Sequence, residues 1–184
     1  MAARKPKKLD SEGLWSYALR SLAGRAHSVS ELREKLRRRA EKPEDTAAIL
    51  ARLRERGYLD DRHFAEGFAF SRLGNQGFGK HRVLRDLRQR RVAPAVAERA
   101  VREAYQDTDE VELIESFLAR KYRRVPLAEF LSEPKNLASA YRRLRVAGFS
   151  SSPVIRVLKR YAAEAESLET LDTEDDPGER RDAE

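Results

Sequence analysis

The sequence predicts an all-α fold, an elongated array of three tandem three-helix modules. Apolar residues recur at steps of three and four, as in Leu14, Ala18, Leu22 and again in Leu32 and Leu36, the spacing of one helical face. No convincing alternation of period two, the mark of a half-buried strand, competes with it. A leucine-centred pattern also repeats. Leu36, Leu87 and Leu144 each sit in an arginine-rich helix, and fourteen residues after each stands another aliphatic residue, Leu50, Val101 and Leu158. Helices this short cannot each bury a full apolar face alone, so neighbouring units should pack in a row.

The elements follow in order. Residues 1–10 are basic and expected to be disordered, and the first module spans 11–59. Its opening helix covers 12–25. Ser28 and Ser30 ahead of Glu31-Leu32 fit an N-cap, and Pro43 with Glu44 and Asp45 starts the third helix, where proline and carboxylates suit the first turn. Gly57 follows a run of cations, the pattern of a left-handed C-terminal cap. The second module spans 60–107. Asp60 and Asp61 should cap its long helix, 61–74, which carries Phe64, Ala65 and Phe68 on one face. The third module, 108–163, opens with a helix over 109–123. Each module has a short break, near Pro43, Pro94 and Pro153. Residues 164–184 form an acidic tail expected to be disordered.

Charge is unevenly spread over the 184 residues, whose formal net charge is +7. Residues 1–10 hold four cations against Asp10, and 164–184 hold ten carboxylates against Arg180 and Arg181. The body keeps 32 cations against 20 carboxylates, a positive field that attracts nucleic acid or acidic protein surfaces. The tail either folds back to compete with a polyanion or simply solubilises the chain.

Several function classes find no support. No stretch approaches the roughly 20 apolar residues that span a bilayer. The basic start is not followed by an apolar segment of the secretory kind. There is no cysteine, which removes disulfides, thiolate catalysis and Cys-ligated zinc. A cytoplasmic protein is expected. Gly74-Asn75-Gln76-Gly77-Phe78-Gly79-Lys80 has the glycine and lysine spacing of a phosphate-binding loop. However, His81 stands where Ser or Thr must reach magnesium, and the preceding segment reads as helix, so a flexible inter-helix loop is the better reading. His27, His63 and His81 lack metal-ligand spacing, and no nucleophile or carboxylate pair falls in a catalytic motif. No enzyme activity, cofactor or metal is expected.

Basic runs are the remaining chemistry. Arg37-Arg38-Arg39, Arg82/Arg85/Arg88 with Arg90-Arg91, and Arg142-Arg143-Arg145 with Arg156, Lys159 and Arg160 are expected in equivalent helices of the three modules. Arginine outnumbers lysine 29 to 9, which suits bidentate contact with phosphate or carboxylate. The candidate contact residues are Arg37, Arg38, Arg82, Arg85, Arg88, Arg91, Arg142, Arg143, Arg145, Arg156 and Lys159. A single run of this kind is as readily an ordinary solvated face, and its recurrence in three modules favours a docking surface.

The run Ala18-Leu19…Leu22…Arg25…Ser28…Ser30-Glu31-Leu32-Arg33-Glu34-Lys35-Leu36 resembles the opening module of the RecX family. So does the stretch from Leu53 to Ala65, with Gly57, Tyr58, Leu59, Asp60, Asp61, Phe64 and Ala65 as its most specific part. Gly77-Phe78-Gly79 with Leu84, Leu87 and Val92 resembles that family's middle segment, and Lys121-Tyr122 with Arg145-Val146-Ala147-Gly148-Phe149 its last module. The resemblance covers roughly 12–163. Glu41 departs from it, standing where Val92 and Phe149 lead one to expect an aliphatic or aromatic residue.

The resemblance implies a bacterial regulatory protein that is not an enzyme. It implies binding to the RecA–single-stranded DNA filament, with inhibition of strand exchange, ATP hydrolysis and cleavage of the LexA-type repressor in recombination and the SOS response. Single-stranded DNA would be met weakly or within the filament, by a monomer. The alternatives are a stand-alone basic helical DNA-binding protein, and a helical scaffold for some other acidic protein.

Overall fold

The start signals read from the sequence place most helix boundaries. In the computed structural model, which describes residues 8–162 and 165, ten α-helices run among the described residues. They are α1 (Ser11–Gly24), α2 (Val29–Arg39), α3 (Pro43–Glu55), α4 (Asp61–Ser71), α5 (Lys80–Gln89), α6 (Pro94–Ala104), α7 (Glu110–Lys121), α8 (Leu127–Ser132), α9 (Pro134–Val146) and α10 (Ser151–Leu158). No strand forms among the described residues beyond one isolated bridge, Leu9 to Ala40. The fold is all-α. Apart from buried Ala165, the acidic tail lies outside the described residues, as does the start of the basic head, residues 1–7, so the expectations of disorder there stand aside.

The six repeat positions are all core. Leu36, Leu87, Leu144 and Leu158 are 0% exposed, and Leu50 and Val101 3%. This is why the leucine spacing survives while the loops vary.

The described residues divide into two compact units, and the division runs through the expected second module, inside α5. One unit takes in α1–α3, most of α4, and Leu84–Ala104. Its α1–α3 core is built on Leu14, Ala18, Val29, Leu32, Leu36, Ile49 and Leu53. Ser28 closes a capping box, accepting from Glu31 N at 3.1 Å while the Glu31 carboxylate accepts from Ser28 N at 3.2 Å. Asp10 caps α1, accepting from Gly13 N at 2.9 Å. Leu9 pairs with the end of α2, donating to Arg39 O at 2.8 Å and accepting from Glu41 N at 2.9 Å. Leu9 and Asp10, expected to be disordered, are therefore tied to this unit by hydrogen bonds. This also accounts for Glu41: α2 ends in extended backbone at buried Ala40, and the bridge to Leu9 leaves Glu41 exposed.

The second unit takes in Ser71–Val83 and the chain from Tyr105 onward. Its core joins Ile114 and Leu118 of α7, Leu131 of α8, Tyr141 and Leu144 of α9, and Val154, Val157 and Leu158 of α10. α8 is a short helix beyond the three expected for this segment. The glycine-rich stretch is not the flexible loop expected of it. Arg72–Gln76 forms a π-helical turn, Arg120 donates to Gln76 O, and Gly79 lies against the backbone of Gly148. A Cβ on Gly79 would stand 2.1 Å from Gly148 O, while Gly79 N donates to Ala147 O at 2.9 Å and His81 N to Gly148 O at 3.1 Å. The glycine spacing serves packing, not phosphate.

Candidate nucleic-acid and partner interface

The positive charge takes local shape at the C-terminal ends of the middle helices. α5 ends in a two-bond cap: Arg91 N donates to Arg88 O at 2.8 Å and Val92 N to Leu87 O at 3.2 Å, with Arg91 in left-handed backbone at φ 58°. α9 ends with the same pair of bonds, Gly148 N to Arg145 O and Phe149 N to Leu144 O, with Gly148 at φ 92°. An arginine thus holds the conformation that glycine holds in the last module.

Arg91 lines a cleft of about 260 Å³ in the first unit, together with Arg25, Lys35, Arg38 and Arg90. Glu31 sits among these cations. Its carboxylate takes Arg90 at 2.8 Å and Arg25 at 3.3 Å. Burial alone would raise the Glu31 pKa, but hydrogen bonds from Arg25 and Ser28 N and the charge of Arg90 outweigh it and hold the carboxyl below its usual value. Arg90 is also pinned from behind, 4.9 Å over the Phe68 ring, and its carbonyl accepts from Ser28 Oγ at 2.7 Å. Beneath lies buried His27, with Nε2 3.3 Å from Lys35 Nζ and Nδ1 3.5 Å from Glu31. Burial, then the charges of Arg25 and Lys35, push its pKa down against the pull of Glu31.

The other predicted contact residues separate into two groups. Arg37, Arg85, Arg88, Arg142, Arg143, Arg156 and Lys159 are exposed; Arg37 lies 3.5 Å from Glu34, Arg88 4.0 Å from Glu98, and Arg143 5.8 Å over the Tyr122 ring. Arg82 and Arg145 are partly buried within the fold. Arg82 packs 4.2 Å over Phe78, and Arg145 donates to Phe149 O at 2.6 Å. Arg38 and Arg91 are brought to one cleft, whereas Arg156 and Lys159 belong to α10 and its C-cap, not to the middle helix. Arg25 and Lys35, outside the predicted contact set, also line that cleft.

The motif Gly57 to Ala65 is chiefly a joint. Leu59, Phe64 and Ala65 are buried, and Gly57 (φ 70°) ends α3. Asp60 accepts from Arg62 N at 2.7 Å at the start of α4, but Asp61 instead accepts from Val29 N of α2 at 2.8 Å. Asp61 therefore joins two elements where the sequence suggested a second cap for one. Tyr58 is the exception, 56% exposed beside a groove of about 820 Å³ lined also by His27, Asp61 and Phe64.

This tandem helical pattern has known counterparts. The profile of "RecX, first three-helix domain" matches residues 15–53, and that of "RecX, second three-helix domain" matches residues 60–101. The regulatory protein RecX of Deinococcus radiodurans is 32% identical over 161 residues, covering 86% of this chain and 74% of its relative. The chain belongs to the RecX family. A second member, from Trichlorobacter lovleyi, is 33% identical over 105 residues, 57% of this chain and 68% of its own. The crystal structure of RecX from Lactobacillus salivarius superposes with a TM-score of 0.62 over 82% of this chain and 96% of its own; at 19% identity it speaks for the fold. RecX relatives bear the name of a regulatory protein, so the chain is a member of a regulatory family. Among the described residues, no helix is long and apolar enough to cross a membrane, and no cluster of side chains has the makings of a metal site.

Proposed function

We propose that this chain regulates the RecA recombinase by binding the RecA–single-stranded DNA filament and inhibiting its strand exchange, ATP hydrolysis and coprotease action on the LexA-type repressor. One observation carries the reading: a RecX-family chain whose middle helices, α2, α5 and α9, each expose arginines. Repeated weak contacts along a polymer gain through effective concentration, so each basic face need not bind tightly by itself. The chain acts as a monomer in the bacterial cytoplasm, without cofactor or catalysis, in recombination and the SOS response. The test is DNA-dependent ATP hydrolysis by the cognate RecA as this protein is added. A falling rate with shortened or blocked filaments is expected, and no change at stoichiometric amounts would sink the reading.

A second reading, a stand-alone basic helical DNA-binding protein, is favoured by the cation-lined cleft. Tight DNA binding without RecA, falling steeply with log salt, together with unchanged ATP hydrolysis by RecA, would replace the first reading by this one.

A further inference from the structure

The geometry points to a phosphate-binding site in the cleft between α2 and the C-terminal end of α5, taking a backbone phosphate of single-stranded nucleic acid. This deepens the filament reading, and rests on it for the choice of single-stranded nucleic acid as the ligand. Arg25, Lys35, Arg38, Arg90 and Arg91 converge on a cleft of about 260 Å³, which admits a phosphodiester group. Both carboxylates of the cleft are already engaged, Glu31 by Arg25 and Arg90, Glu34 by Arg37. Arg38 and Arg91 are exposed, and among the described residues neither has a carboxylate within ion-pair distance. They therefore present uncompensated positive charge from the two walls.

The second observation is independent of charge. Arg91 holds φ 58°, a conformation that costs an L-residue roughly 1–2 kcal/mol and that Gly148 adopts freely at the matching helix end. Strain kept at an arginine that lines a cleft is the pattern of a positioned functional group. The preceding residue is locked by the Glu31 ion pair, by the Phe68 ring and by Ser28, so Arg91 departs from a fixed backbone. A tetrahedral phosphate offers oxygens to both walls at once, whereas a planar carboxylate is satisfied by a single guanidinium fork.

The experiment measures fluorescence anisotropy of a labelled single-stranded oligothymidylate with the full chain at low salt, with no recombinase present. Arg91→Gly and Arg38→Ala should each weaken binding about tenfold and lower the slope of log affinity against log salt by about one. Arg91→Gly should keep or raise the thermal midpoint, so lost binding cannot be ascribed to unfolding. Unchanged affinity and slope in both variants, or no binding by the parent chain, overturns the site. Equal competition by polyglutamate would reassign the cleft to acidic protein segments and overturn it too. Because recombinase is absent, a failure here is separate from a failure of the filament assay.

Discussion

Arg91 and Gly148 occupy matching helix ends and answer opposite demands. At Gly148 a Cβ would fall 2.3 Å from Arg82 N, so Gly148→Ala meets backbone as well as left-handed strain and should lower the thermal midpoint sharply. Arg91→Gly should raise stability by about 0.5–1 kcal/mol, the relief of left-handed strain less the extra entropy of a glycine in the unfolded chain. Chemical denaturation of both variants checks the pair. His27 gives a pH prediction. Its folded pKa lies below 6.5, so the unfolded chain binds its proton more readily. The stability it contributes is complete above that value and is lost as pH falls below it. The melting midpoint should therefore drop as pH falls below about 6.5, and His27→Gln should flatten that fall. Glu31 acts in a lower window. Its depressed pKa adds stability that is complete above 4.5 and is lost as pH falls below that value, and Glu31→Gln should remove that step.

α5 and α9 divide their residues between core and surface with little overlap. Leu87 and Leu144 are wholly buried, and Leu87→Ala or Leu144→Ala should each cost about 2–5 kcal/mol in urea unfolding. Arg85 and Arg88, or Arg142 and Arg143, lie on the exposed faces of the same helices. Charge reversal at either pair should weaken filament inhibition while the circular dichroism of the helices stays unchanged. Arg82 and Arg145 make the contrast, because Arg82 packs over Phe78 and Arg145 holds Phe149 O. Their replacement should reduce stability before it reduces binding. The arginine runs were legible in sequence, but which arginines face solvent was not. Spacing within a run says which side chains share a helical face, and only the neighbouring elements say which face is covered.

For the chain as a whole, charge partition matters more than net charge. Residues 164–184 carry ten carboxylates against two arginines, so their deletion leaves a far more cationic protein. Oligonucleotide binding by the truncated chain should tighten if these residues compete for the basic faces; unchanged binding would leave them a solubilising role. Filament inhibition should weaken with salt as phosphate contacts are screened.

Helical periodicity, capping residues and the repeat about Leu36, Leu87 and Leu144 determined the all-α fold from sequence alone, because these are local signals read within a turn or two of chain. The RecX-family motif was visible for the same reason. Tertiary structure decided the rest. It tied Asp61 of α4 to the start of α2, set the glycines at 79 and 148 in a backbone contact, and brought Arg25 and Lys35 to the cleft of Arg38 and Arg91. Those assignments depend on which elements pack together across tens of residues, and no local spacing encodes that.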